Sequence, residues 1–131
     1  MRVLEAITGR KVKLTDIYQG SELRDENELL VRVLDDIGRI PTLKFEFTVH
    51  TMPAAQAAKI KMFGQTRTVL AAFKKTAVGA QKKVVKDKVK NFNNDRIVVL
   101  MGGDMIDGHH HLIAAIQTGN PISYIDLDEV D

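Results

Sequence analysis

The stretch RIVVLMGGDMIDGHHHLIAAIQTGNPISYIDL, Arg96 to Leu127, decides the fold class of this chain. Ile97 to Met101 is a continuous apolar run of strand length, and Gly102, Gly103 and Asp104 are a turn signal that folds the next residues back as a second strand. Gly108 then turns the chain into a helix over residues 109–118, and Gly119 ends it. After Pro121, ISYIDL reads as a further strand. A strand running straight into a helix leaves the first N–H groups of that helix open, so Asp107 to His111 forms a corner suited to an anion.

Upstream, DENELLVRVLDDIG offers Asp25 as N-cap with Glu28 three residues later, and Gly38 as a stop, which predicts a helix over 25–38. LKFEFTVH, residues 43–50, alternates apolar and polar side chains and predicts a half-buried strand. Pro53 opens a helix expected to reach Phe63 and close at Gly64, and a second helical stretch follows over 66–78. In QKKVVKDKVKNF, Val85, Val89 and Phe92 fall on one side of a helix while Lys83, Lys86 and Lys90 line up well away from them. The order is that of a small single domain of α/β class, mixed α+β.

The formal net charge of +2 hides a segregation. Residues 1–58 carry 8 basic against 9 acidic side chains, residues 59–90 carry 10 against 1, and residues 91–131 carry 1 against 7. A basic block in the middle is a footprint for a polyanion, nucleic acid above all, although a solvated lysine-rich helix gives the same pattern. With no cysteine, disulfides, thiolate ligands and cysteine nucleophiles are excluded. No run reaches the roughly 18 apolar residues of a membrane span and the N-terminus lacks a signal-peptide core, so the expected location is cytoplasmic, with no membrane partner.

Three of the four histidines stand together at the corner. Helical neighbours diverge by about 100°, so His109, His110 and His111 cannot all face one ion. His109 falls over the apolar face of Leu112, Ile113 and Ile116, the place of a packed histidine. His110 lies on the flank and His111 on the far side, so these two are expected to meet a ligand, and His111 to bear little on stability. A metal site needs a further ligand, for which Asp107 and His50 are the choices. An ordinary polar helix start accounts for the same residues.

The strand, turn, second strand ending in DGHHHLIAA, helix closed by Gly119 and final strand together resemble the ParB/sulfiredoxin-like superfamily, with HTMPAAQAAKI, residues 50–60, resembling its Pro-x-x-Gln-type segment. Asp107, Gly108, His109 and His110 match the family's Asp-Gly-His-His-Arg type of motif, whereas His111 stands where arginine is usual. Arginine offers a permanent charge and a planar fork for phosphate, and histidine offers less. The resemblance covers Arg96 to Glu129 well and reaches back weakly to Leu43. It implies a phosphate or nucleotide pocket at the helix start; the family's reductase chemistry needs a cysteine and is excluded here.

The expectation that results is a ParB/sulfiredoxin-like core over residues 43–131 with an N-terminal helical extension over 1–42. It would be a stand-alone domain that binds DNA or nucleotide phosphate, with Gly108 and His111 facing the phosphate and Lys83, Lys86 and Lys90 tracking the nucleic-acid backbone. His110 would be general acid, base or metal ligand, and Asp107 would orient it or join a magnesium or manganese ion, which makes a metal-dependent nuclease. The rival expectation is a non-catalytic DNA- or protein-binding module of the kind that suits a phage or mobile element.

Overall fold

The computed structural model describes residues 9–17, 46–76 and 78–129; the helix expected over 25–38 and the start of the strand expected from Leu43 lie outside them. In chain order the elements are β1 (Lys11–Val12), α1 (Leu14–Ile17), β2 (Phe47–Thr48), β3 (His50–Met52), α2 (Ala54–Ala57), α3 (Val69–Thr76), α4 (Gly79–Lys90), β4 (Ile97–Met101), β5 (Asp104–Asp107), α5 (His109–Thr118) and β6 (Ile122–Asp126). The class is mixed α+β.

A four-stranded sheet in the order β3-β6-β4-β5 carries the fold. β4 and β5 form the expected antiparallel hairpin, with a register shift between Val99 and Leu100. β6 lies parallel to β4, Ile97 opposite Ser123 and Leu100 opposite Asp126, and β3 pairs antiparallel with β6 from the other side. β4 is therefore interior to the sheet, which is why IVVLM shows no polar alternation: both its faces are covered. Val98 and Leu100 join Met105, Leu112, Ile113 and Ile122 under the helices, while Val99 joins Ile106 and Ile125 on the opposite face. Each such side chain contributes about 1.5–3 kcal/mol when fully buried.

The second face is closed by residues expected in the N-terminal extension. Val12 and Leu14 are buried there with Phe47 and Val49. β1 pairs antiparallel with β2, Val12 opposite Phe47, and Val49 continues the tie through bonds to Gly9 and Arg10 of 2.8 and 2.9 Å. The segment read as one strand up to His50 thus changes partners at Val49: β2 pairs with β1, and β3 joins the four-stranded sheet.

The helix expected from Pro53 to Phe63 stops at Ala57. Tertiary pairing overrides its helical composition: Lys61 and Met62 bridge to Thr68 and Met105, and the carbonyl of Lys61 accepts a 2.8 Å bond from the Met105 amide. The helical stretch expected over 66–78 appears as α3, which ends at Thr76, and a new helix, α4, begins at Gly79.

Two glycines bound α5, both in the left-handed region. Gly108, at φ 103°, lies so close to β4 that an added Cβ would meet Val98 Cγ2 at 3.1 Å; Gly119, at φ 71°, faces open space. Gly108→Ala should therefore cost more than Gly119→Ala, about 2–3 against about 1 kcal/mol, because only the first adds a clash to backbone strain. Ser123, 1% exposed, keeps a hydroxyl that has no hydrogen-bond partner among the described residues. Ser123→Ala should leave stability unchanged or raise it by up to about 1 kcal/mol. Urea unfolding of the three variants checks both statements, and equal losses at the two glycines would contradict the packing at Val98.

Candidate functional site

The corner between β5 and α5 is held by an ion pair across the hairpin. Arg96, just before β4, places Nη2 2.8 Å from Asp107 Oδ2 and also donates from Nη1 to the carbonyl of Ile97. Both charged side chains are largely shielded, at 26% and 19% exposure, so the pair fixes the spot where the chain leaves the sheet. Gly108 then adopts its left-handed turn, and Leu112 closes the first helical bond back to its carbonyl at 2.9 Å. No side chain caps this end of α5.

His109 and His110 are both partly buried and line a cavity of about 220 Å³ between α5 and α3. Val69, Ala72 and Phe73 of α3 form much of its wall, and Gln81 of α4 closes it. His109, expected to pack over the apolar face, is partly buried and lines this cavity together with Ile113.

His111 departs from expectation. It is 3% exposed, and its ring stacks on Phe92 with centroids 4.6 Å apart and planes at 22°. The wheel counts one apolar face, but α5 has two neighbours: the sheet covers Leu112 and Ile113, and α4 with the residues after it packs against the other side. His111 is therefore not a phosphate-facing position on the surface, and its ring is committed to the stack on Phe92. Gly108 is buried too and offers the site backbone only.

All three histidines are held below their ordinary pKa. Burial is the main cause for His109, opposed by Asp107 and helped by His110. For His110 burial is joined by the Lys88 charge. For His111 burial, then Arg96, then Lys88 bring the value to about 4. Burial thus favours the uncharged form of all three rings, and the positive charge that acts on His110 and His111 comes from Lys88 and Arg96.

The expected metal set does not assemble. Asp107 is engaged by Arg96, and His50 lies on β3 at the opposite edge of the sheet, where its Nε2 is 2.9 Å from Glu129 Oε1. Among the described residues no group of three or more His, Asp or Glu side chains is placed to hold a metal ion. The residues at the corner do not fit a magnesium or manganese centre of their own.

The lysine stripe has the expected form. Lys83, Lys86 and Lys90 are exposed, while Val85 is buried and Val89 and Phe92 pack on the core. Between α3, α4 and the last turn of α5 lies a groove of about 450 Å³ whose rim includes Lys74, Lys82 and Lys86 and whose floor includes Phe73, Val85 and Val89. Phe73 belongs to both this groove and the histidine cavity. Among the described residues no helix is long and apolar enough to cross a membrane.

No protein-family model, curated protein or solved structure matches this chain. Arg96, Lys88 and Phe73 are the site residues that sequence reasoning missed. Arg96 carried a signal, being the one basic residue in the acidic stretch 91–131. Lys88 and Phe73 carried none, because their importance comes from helix packing.

Stability should fall on acidification through His111. Its pKa is about 4 in the fold against 6.5 for an exposed ring, so the unfolded chain takes up the proton first. The contribution is fully present above about pH 6.5 and drains away as pH falls toward 4, by on the order of 2 kcal/mol. His111→Phe keeps an aromatic ring against Phe92 without a titrating group. Its denaturation midpoint should fall less than the parent's between pH 7 and 4.5, and parallel losses would show that His111 does not carry the effect.

Proposed function

We propose that this chain is a nucleic-acid-binding domain of the ParB/sulfiredoxin-like type, with phosphate drawn to the histidine corner and along α4. The observation that carries the reading is one of placement: the cavity lined by His109 and His110 and the lysine-rimmed groove share the Phe73 side chain, and the segment 59–90 that supplies α3 and α4 carries 10 basic side chains against 1 acidic. Neutral imidazoles can donate to phosphate oxygen through one nitrogen, and Lys88 supplies nearby charge. The arginine that the family has in place of His111 is supplied in this reading by Arg96, which stands just before β4 close enough to act on His111 and is held by Asp107.

Binding of a phosphate beside His110 would favour its protonated form, so affinity should tighten as pH falls from 7.5 to 6. Salt should weaken binding with a slope of about 0.9 per neutralised phosphate for a duplex. Replacing Lys83, Lys86 and Lys90 by glutamine should reduce DNA affinity across sequences and flatten that slope by roughly 2–3. Fluorescence anisotropy over a salt series measures both, and an unchanged slope would make the stripe a solvated face.

A hydrolytic reading rests on a separate observation, that His110 lines a cavity, where burial and the Lys88 charge favour the neutral form a general base requires. Duplex and single-stranded substrates incubated with and without magnesium or manganese decide it. Cleavage that is lost in His110→Ala supports an enzyme; intact substrate in every arm leaves a binding domain.

A further inference from the structure

We infer that the groove between α3, α4 and the end of α5 takes a single strand of nucleic acid, with a base against Phe73 and phosphates on Lys74, Lys82 and Lys86. The inference rests on the nucleic-acid reading above and names the form of the partner.

The shape of the basic surface decides between strand and duplex. A duplex presents phosphates on a convex cylinder and keeps its bases stacked inside, so elements that read it protrude into its grooves. Here the three rim lysines stand around a recess of about 450 Å³ with an apolar floor. A duplex could reach the rim and would leave the floor empty. An unpaired base has an apolar face of the right kind for that floor, and aromatic platforms flanked by cations are the usual way of holding single strands.

The spacing agrees. Lys82 and Lys86 are four residues apart on α4, which puts them on one side and about 6 Å apart along the axis, comparable to one step of an extended strand. Lys74 faces them from α3 across the floor. Phe73 is half-buried and packs on the core, so its ring is held in place before any ligand arrives. Because the same ring walls the cavity of His109 and His110, a strand laid in the groove leads its next phosphate toward the histidine corner. An acidic peptide would satisfy the lysines as well, but its carboxylate side chains offer no aromatic face for Phe73 and no phosphate for the corner.

The chain contains no tryptophan, so Phe73→Trp makes a single reporter at the deciding position. Titrating this variant with a twelve-nucleotide oligo-dT should quench its emission as bases stack on the indole, whereas a hairpin duplex of equal length and oligo-glutamate should leave the emission nearly unchanged. In the parent protein, oligo-dT should bind at least tenfold tighter than the duplex at matched salt. Lys82→Gln with Lys86→Gln should flatten the single-strand salt slope by about 1.4, at roughly 0.7 per phosphate. Phe73→Leu should weaken oligo-dT binding several-fold with the slope unchanged, and its melting curve reports whether it still folds. Duplex binding equal to or tighter than oligo-dT, quenching by oligo-glutamate, or oligo-dT binding without quenching would each overturn the single-strand assignment while leaving the nucleic-acid reading in place. Absence of binding to either nucleic acid would remove both.

Discussion

The parallel pairing of β4 with β6 is the constraint from which the rest of this architecture follows. Parallel neighbours cannot be joined by a tight turn, so the chain must cross over between them. Here the crossing is made by β5 and α5, and the chain must leave the sheet at Asp107 and enter a helix at once. Gly108 is the residue that allows it, because its left-handed backbone and missing Cβ let the corner rest on Val98. The histidines thus occupy a position that sheet topology creates, and Arg96 braces it from the start of β4.

Charge is arranged around that corner with some economy. Burial favours the neutral form of the three imidazoles, and Lys88 and Arg96 reinforce the effect on the two that they approach. Asp107 opposes the effect at His109, and its own charge is met by Arg96. Farther out, Lys74 of α3 and Lys82 and Lys86 of α4 stand around an apolar floor, and under the proposed reading a flat ligand is gripped there as well as attracted. Attraction and grip are separable in principle, since salt weakens the first far more than the second.

Much of the fold was legible because local and global signals agree between Arg96 and Leu127. The apolar run, the glycine turn, Gly108 and Gly119 each fix one boundary, and the elements fall where these signals put them. Legibility failed where long-range contacts decide. Nothing in residues 58–63 announces that Lys61 and Met62 will pair with Thr68 and Met105 instead of extending α2. The strand ending at His50 shows its alternation, yet its change of partner at Val49 depends on residues 9–12 far away in sequence. At the site, a single helical wheel located His110 on a flank but misplaced His111, since α5 is covered on a second side by α4 and Phe92. The lysine stripe was readable, whereas the groove needs Phe73 and Lys74 brought from another helix.

The bridge from residues 61 and 62 to β5 has a consequence beyond shortening a helix. β5 is an outer strand of the sheet and lies next to its most apolar strand. The Lys61 carbonyl and the Met62–Met105 bridge occupy part of the outward-facing backbone of β5, which would otherwise be a template for strands of other molecules. Damage to the turn over 58–68 would therefore uncover a sticky border before it unfolded the core, and the protein would be lost to aggregation while most of its sheet was still intact.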